Sequence, residues 1–492
     1  MKKFRIFLIS LLILPCIFIF SACNFLSASS TTYITNIEQT SSVGNQDYYT
    51  ITYSDGSKSN IVIKNGTDGL QGEKGKDGTS ISLNEIKTYC EENGLDFEEF
   101  LATYLRVGTQ EETIKLATSK ALNSVVSVWS EYPTYEYNLS KNIQVGCGAG
   151  VIFLMETDYS YIVTNYHVVY NIDSLTSNKI AQSIHIYQYG ADESVYKTGS
   201  YDSKGYPIIG YSEGAISCTY IGGSLTYDIA VLKVSTSSLQ ANNPNACAVD
   251  IATEYSIADN CLAIGNPQGE GISVTQGIVS VESEYISMKA ADEATTVKFR
   301  VMRIDSAING GNSGGGLFNS KGELIGIVNA KVVDSTIDNM AYALPIDNVK
   351  NVAENLIYYY KQNNSNSKVK NLNWGISLEG QNHKSVYNST TGLVSTKEDV
   401  TVSSIASNNA IATSIGFKIG DIITNLRISS NVSGNNVVKD YEISHCYQVN
   451  DLLLSLRPTD TIMFTITRNG NTTTVGYNKQ AGLPTSYFTV VD

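Results

Sequence analysis

Short blocks of β-branched and aromatic residues, bounded by Gly, Asn, Asp and Ser, recur along most of the chain, a pattern of strands rather than of long helices. Residues 48–53 and 61–63 flank Ser54-Asp55-Gly56-Ser57 and predict a β-hairpin on an Asp-Gly turn. Phe97, Phe100, Leu101 and Tyr104 recur at three- and four-residue spacing near the breaker Gly94, predicting a small helical module over 83–105. A second helix is expected over 110–123, running into a strand at 125–129. Further on, 161–169 and 229–234 read as strands, 349–360 as a helix and 362–367 as a polar linker; 449–456 and 462–468 then read as a helix and a strand. The fold class this predicts is mainly β, with a smaller α+β region at the C-terminal end.

The first residues have a different character. Lys2, Lys3 and Arg5 precede an apolar run over 6–20, too short for a comfortable membrane span and laid out as a secretory signal. The run ends in Phe20-Ser21-Ala22-Cys23, similar to the bacterial lipobox except for Phe20, so Cys23 is the expected lipidation site and 1–22 the removed signal. That reading places the chain outside the cytoplasm, anchored to the bacterial membrane. Glycines at 66, 69, 72, 75 and 78 form five triplets without proline, which read as a spacer rather than a triple helix.

Losing 1–22 removes three positive charges and moves the formal net charge from −13 to −16, which disfavours nucleic acid and excludes it as an expected partner. With 42% hydrophobic residues among 492, the chain has material for two or three domains. Apart from Cys16 and Cys23, six cysteines remain at positions 90, 147, 218, 247, 261 and 446. Their spacing forms no C-x-x-C or metal pattern and leaves disulfide pairing undetermined; no metal and no cofactor are expected.

The candidate chemistry centres on Asn309-Gly310-Gly311-Asn312-Ser313-Gly314-Gly315-Gly316. A serine bracketed by glycines sits where the backbone turns tightly and can present one hydroxyl beside free amides. A strand-like run ends at His167, and Asp228 directly precedes another. A serine hydroxyl is a weak nucleophile until a base takes its proton, and the base needs a carboxylate to fix its tautomer. Gly311-Asn312-Ser313-Gly314-Gly315 also fits the nucleophile elbow of α/β-hydrolases, but there the acid and histidine follow the serine. Here the order is His167, Asp228, Ser313, that of the chymotrypsin-like double barrel.

Thr164-Asn165-Tyr166-His167-Val168-Val169, Asp228-Ile229-Ala230-Val231-Leu232 and Gly311-Asn312-Ser313-Gly314-Gly315 closely resemble the three catalytic blocks of the HtrA (DegP/DegS-like) serine proteases. Supporting blocks at 263–267, 275–280, 305–309 and 341–346 agree. The resemblance implies a chymotrypsin-like double β-barrel over 109–361, a linker at 362–372 and a PDZ-like domain over 373–482, preceded by an extended region at 23–80 and the helical module at 81–108. It implies His167, Asp228 and Ser313 as catalytic residues, with the Gly311 and Ser313 amides as oxyanion hole. Ala307, Ile308, Val328 and Asn329 are expected around a specificity pocket with no carboxylate, suited to small or medium aliphatic residues. Gly316 stands where many family members have proline, so this segment is expected to order less readily. Asn373-Trp374-Gly375-Ile376-Ser377 resembles a PDZ carboxylate-binding loop, so Trp374, Gly375 and Ile376 are expected to receive C-terminal peptides. The implied activity is endoproteolysis of unfolded or damaged exported polypeptides, in a homotrimer if the resemblance extends to assembly. A different class stays open, a surface-anchored peptide-binding or chaperone-like protein with weak or gated proteolysis. A tyrosine- and glycine-rich insertion near 187–220 carries no assigned role.

Overall fold

A computed structural model of the chain describes residues 34–43, 46–64, 88–90, 92–94, 110–330, 340–389, 392–432, 435–479 and 481–491. The expected signal, Cys23, the glycine triplets and most of the helical stretch at 83–105 lie outside them.

The chain divides into two units, Met1–Thr109 and Gln110–Asp492. In the first, β1 (Ile34–Val43), β2 (Gln46–Tyr53) and β3 (Lys58–Lys64) form an antiparallel three-stranded sheet. The expected hairpin is β2–β3, with Gly56 at φ +83° in its turn. β1 adds a strand that its polar, exposed sequence did not announce.

The second unit opens with α1 (Gln110–Leu122), followed by a closed six-stranded barrel. Its strands are β4 (Val125–Tyr135), β5 (Lys141–Met155), β6 (Tyr159–Thr164), β7 (Ser183–Gln188), β10 (Ile216–Ser224) and β11 (Ile229–Ser235). Between β6 and β7 lies the single-turn α2 (Tyr166–Val169). The hairpin β8 (Val195–Tyr201) and β9 (Pro207–Tyr211) stands apart as a two-stranded sheet and accounts for the insertion. Tyr187, at the expected start of that insertion, is instead fully buried in β7.

After α3 (Thr236–Asn242) a second closed barrel forms. It comprises β12 (Asn260–Gly265), β13 (Ser273–Lys289), β14 (Thr296–Ile304), β15 (Gly316–Asn319), β16 (Leu324–Val328) and β17 (Ala341–Pro345). Gly316 opens β15, paired with both Ile264 and Ile327, so the backbone there is held by two neighbouring strands.

The continuous apolar runs have a simple cause, since these strands are covered on both faces. In β11, Ala230, Leu232 and Val234 fill the first barrel while Ile229 and Val231 join the core shared by both barrels and the following helix. In β12, Cys261 and Ala263 fill the second barrel, and Leu262 and Ile264 face the shared core. That helix, α4 (Ile346–Asn363), buries Ile346, Val349, Val352, Ala353, Leu356 and Ile357 at helical spacing.

The C-terminal domain is built on a sheet ordered β19 (Ile376–Tyr387), β20 (Val394–Ile405), β21 (Ile422–Val432), β23 (Thr461–Arg468), β24 (Asn471–Tyr477), with β22 (Asn435–Glu442) on β21. Helices α5 (Ala410–Ile415) and α6 (Cys446–Ser455) cover it. Two details differ from the sequence reading. The polar stretch read as a linker is stitched down: the Ser367 N–H donates to Ile221 of the first barrel (2.7 Å), and β18 (Lys370–Leu372) pairs with β25 (Phe488–Val490). The domain therefore continues past 482, because Leu483 and Phe488 belong to its core. Polarity alone misled at the end of this stretch, since the Ser367 hydroxyl meets the Ile221 and Leu356 carbonyls rather than water.

Candidate active site

The site lies between the barrels and draws on both. β6 delivers Thr164 and Asn165, both fully buried, to the start of α2. The Asn165 side-chain amide donates to the Asp228 carbonyl (2.9 Å), and the Tyr166 N–H donates to the same oxygen (3.1 Å). These bonds tie the turn before β11 to the segment carrying His167. Asp228 has φ +50°, a left-handed conformation that Asp tolerates better than most residues. Its side chain, only 4% exposed, is thereby turned back toward the imidazole.

The resulting contacts form one line. Asp228 Oδ1 accepts from the His167 backbone N–H (3.0 Å), and Oδ2 lies 2.7 Å from His167 Nδ1. On the far edge of the ring, His167 Nε2 is 2.8 Å from Ser313 Oγ. A carboxylate on Nδ1 favours the tautomer with the proton there, leaving Nε2 as acceptor for the serine proton.

Ser313 sits in the turn before β15. Gly311 has φ +97° and Gly314 φ +83°. A side chain at Gly311 would collide with the Asn266 carbonyl, and one at Gly314 with the Ala149 carbonyl and Thr164 Oγ1. The Ala149 N–H of the first barrel donates to the Ser313 carbonyl (2.8 Å), pinning the turn across the seam. The Gly310 carbonyl accepts from the Gln268 N–H (2.7 Å); since N–H and C=O of a trans peptide point opposite ways, the Gly311 N–H faces away from Gln268. Among the described residues neither the Gly311 nor the Ser313 N–H is used by another group. A cleft of about 480 Å³ opens above Ser313 and His167, walled by Tyr132, Cys147, Tyr170, Gly311 and Ala330 among others.

Of the residues expected around a specificity pocket, Ile308 and Val328 are 8% and 0% exposed and belong to the interior of the second barrel. Ala307 is exposed, its carbonyl accepting from Thr275 Oγ1 (2.9 Å). Asn329 points elsewhere: its side-chain amide donates to Asp228 Oδ2 at 2.9 Å. That supporting contact was not visible in the sequence, where Asn329 is expected beside the specificity pocket. In the C-terminal domain Trp374 is 7% exposed, stacked near Phe464 and edge-on to Phe417, and its N–H donates to the Leu372 carbonyl (2.9 Å). Gly375 has φ +68° and Ile376 begins β19. Among the described residues no group of three or more His, Cys, Asp or Glu is placed to hold a metal. Cys147, Cys218, Cys247, Cys261 and Cys446 form no disulfide among the described residues. No helix among the described residues is long and apolar enough to cross a membrane.

Two closed six-stranded barrels with a serine, an imidazole and a carboxylate aligned at their junction are the architecture of trypsin-like serine peptidases. Residues 148–327 match the trypsin-like peptidase domain family. The chain is similar to HtrA-type serine proteases: it is 30% identical over 220 residues to the serine protease Do-like HtrA of Bacillus subtilis (strain 168), covering 44% of this chain and 41% of that one. The serine protease Do-like HtrA of Lactobacillus helveticus is 25% identical over 330 residues, 66% of each chain. Among solved structures, an HtrA-type protease AlgW with decapeptide matches at 20% identity and a TM-score of 0.43, over 74% of this chain and 97% of that one. The chain thus spans less than half the length of the Bacillus relatives it matches.

Proposed function

We propose that the chain is a serine endopeptidase that cleaves unfolded or damaged polypeptides outside the cytoplasm, held at the membrane by a lipid on Cys23. The observation that carries the reading is the unbroken Ser313–His167–Asp228 line, with spacings of 2.8 and 2.7 Å. Ser313 Oγ attacks the peptide carbonyl while His167 Nε2 takes its proton. The oxyanion that forms lies against the Gly311 and Ser313 N–H groups, whose unused hydrogen-bonding capacity is where developing charge is stabilised. His167 returns the proton to the departing amine, leaving an acyl-Ser313, and a water activated by the same imidazole releases the acid. Asp228 keeps the ring in register and offsets its charge at each transfer. In this reading the C-terminal domain is PDZ-like and takes C-terminal peptides along β19 near Gly375 and Ile376, opposite α6.

The test is digestion of casein by the chain from Asn24 onward beside its Ser313→Ala counterpart. Cleavage by the parent alone supports the reading. Equal cleavage by both points to another nucleophile, and cleavage by neither, even with hydrophobic C-terminal peptides added, moves the weight to a peptide-binding protein.

A further inference from the structure

The connection between β7 and β8 carries Glu193 inward to the seam between the barrels. Its Oε2 accepts from Trp129 Nε1 of β4 (3.1 Å) and from the side-chain amide of Asn266 (3.1 Å), just beyond β12. Asn266 is fully buried and every face of it is used. Its N–H donates to the Gly311 carbonyl (3.3 Å), its Oδ1 accepts from the Gly271 N–H (2.8 Å), and its carbonyl accepts from the Gly269 N–H (3.2 Å). Two residues on, the Gln268 N–H holds the Gly310 carbonyl. The loop that begins at Asn266 is thus what sets the orientation of the peptide between Gly310 and Gly311, and the side chain at the root of that loop is gripped by a carboxylate from an insertion of the other barrel. Burial raises Glu193 above the ordinary carboxylate range, against the hydrogen bonds from Ser127, Trp129 and Asn266, so the group is kept there at a cost. It touches none of the reacting atoms.

We infer that Glu193 is a positioning residue for the oxyanion-binding peptide, acting through Asn266 on the Gly310–Gly311 bond. The insertion then has a task, joining the first barrel to the charge-stabilising edge of the second. This inference rests on the endopeptidase reading. Donors aimed at a developing charge lose most of their effect with displacements of about 1 Å, so the signature is a fall in kcat rather than a rise in KM.

Glu193→Ala, Glu193→Gln and Asn266→Asp are compared with the parent full-length chain in peptide turnover and in hydrogen exchange of the backbone over 266–268. Ala at 193 removes the acceptor; Asp at 266 removes the donor and sets two carboxylates face to face. Both lower kcat by about 10- to 100-fold with KM held within about twofold, while Gln, which keeps an acceptor oxygen, stays within about threefold of the parent. Exchange of the Asn266 and Gln268 N–H groups, which hold the Gly311 and Gly310 carbonyls, quickens in the two impaired variants, while the strands of the second barrel keep the parent's rates. Parental kcat in Glu193→Ala, or a change confined to KM or thermal stability, overturns the inference. Should Glu193→Ala not fold, the nearly isosteric Asn266→Asp decides by the same criteria. If the parent itself cleaves nothing, the endopeptidase reading fails, and unchanged exchange of the Asn266 and Gln268 N–H groups separately overturns the role of Glu193.

Discussion

Arg300, on β14 of the second barrel, and Asp451, on α6 of the C-terminal domain, meet at 2.7 Å with side chains 4% and 8% exposed. The same guanidinium reaches Asp347 of α4 at 2.6 Å and lies 4.4 Å from the ring centre of Tyr447. Asn348 and Asn351 of α4 donate to the Asp451 side chain (2.7 Å) and carbonyl (3.0 Å), and Asn355 donates to the Leu454 carbonyl (2.8 Å). The two domains are therefore joined by a dry polar contact, not by a tether. Removing one partner from a buried ion pair leaves the other charge uncompensated, so Arg300→Ala is expected to cost about 3–5 kcal/mol. In urea unfolding followed by domain-specific probes, the C-terminal domain should then melt before the barrels. A variant with the parent's single transition and midpoint would refute this.

The same contact carries a pH dependence. Two carboxylates share one cation: burial works against the charged Arg300, yet Asp451 and Asp347 hold it above its ordinary range. Asp451 itself is pushed up to about 6 by burial and, less strongly, by Asp347, while Arg300 and Asn348 pull it down. A carboxylate raised in the folded state binds its proton more tightly there than in the unfolded chain, where it titrates near about 3.9. Its contribution to stability is therefore present below the unfolded value and lost as pH rises through about 6. Thermal midpoints of the parent and Asp451→Asn, compared at pH 5 and 7.5, should show a gain on acidification in the parent that is smaller in the variant.

Asn329 tests how far the carboxylate needs support. Asn329→Ala leaves Asp228 Oδ2 with His167 Nδ1 as its remaining side-chain partner among the described residues. Hydrogen bonds to charged groups are worth about 1.5–3 kcal/mol, and a loss of that size is expected in denaturant unfolding, together with a reduced kcat. Unaltered stability and turnover would show the contact to be incidental.

Asp228→Asn keeps the size of the side chain and its tolerance of a positive φ, so the fold should stand. What it removes is the charge, and its amide favours the wrong imidazole tautomer; turnover is expected to fall by about 10⁴-fold. Near-parental rates would mean that the imidazole is oriented by something else.

The described cysteines make a simpler prediction. Cys147, Cys218, Cys247, Cys261 and Cys446 form no disulfide among the described residues, and of the six described cysteines Cys247 alone is exposed, its thiol 3.4 Å from Ser124 Oγ. Burial pushes Cys261 up to about 11 and Cys446 up to about 12, so neither thiol is primed to react. Cys247 should be the first of the described cysteines to be labelled by a thiol reagent in the native protein, and reductant should leave the melting temperature unchanged. A reductant-sensitive midpoint would reveal a disulfide.

Much of this arrangement was legible in the chain itself, for identifiable reasons. The strands at Ile229–Ser235 and Asn260–Gly265 are buried on both faces, so their sequences could be little but apolar. Glycines at 311 and 314 mark places where backbone from the other segments leaves no room for Cβ. Less legible were contacts made by ordinary polar residues whose partners lie far along the chain. Asn329 meets Asp228 across 101 positions, and Glu193 meets Asn266 across 73. Ser367 looked like part of a flexible spacer because nothing local shows that Ile221 and Leu356 wait for it. Polar side chains advertise a wish for a partner, but not which one.

The division of the site between barrels has a temporal side. A growing chain exposes His167 and Asp228 while Ser313 is still unmade, and the barrel holding Ser313 gains its last strand, Ala341–Pro345, later again. Base and acid thus wait on a finished first barrel with nothing to activate. Peptide cleavage becomes available only after Pro345 has been made, when the first barrel is already closed and its own backbone no longer an easy victim.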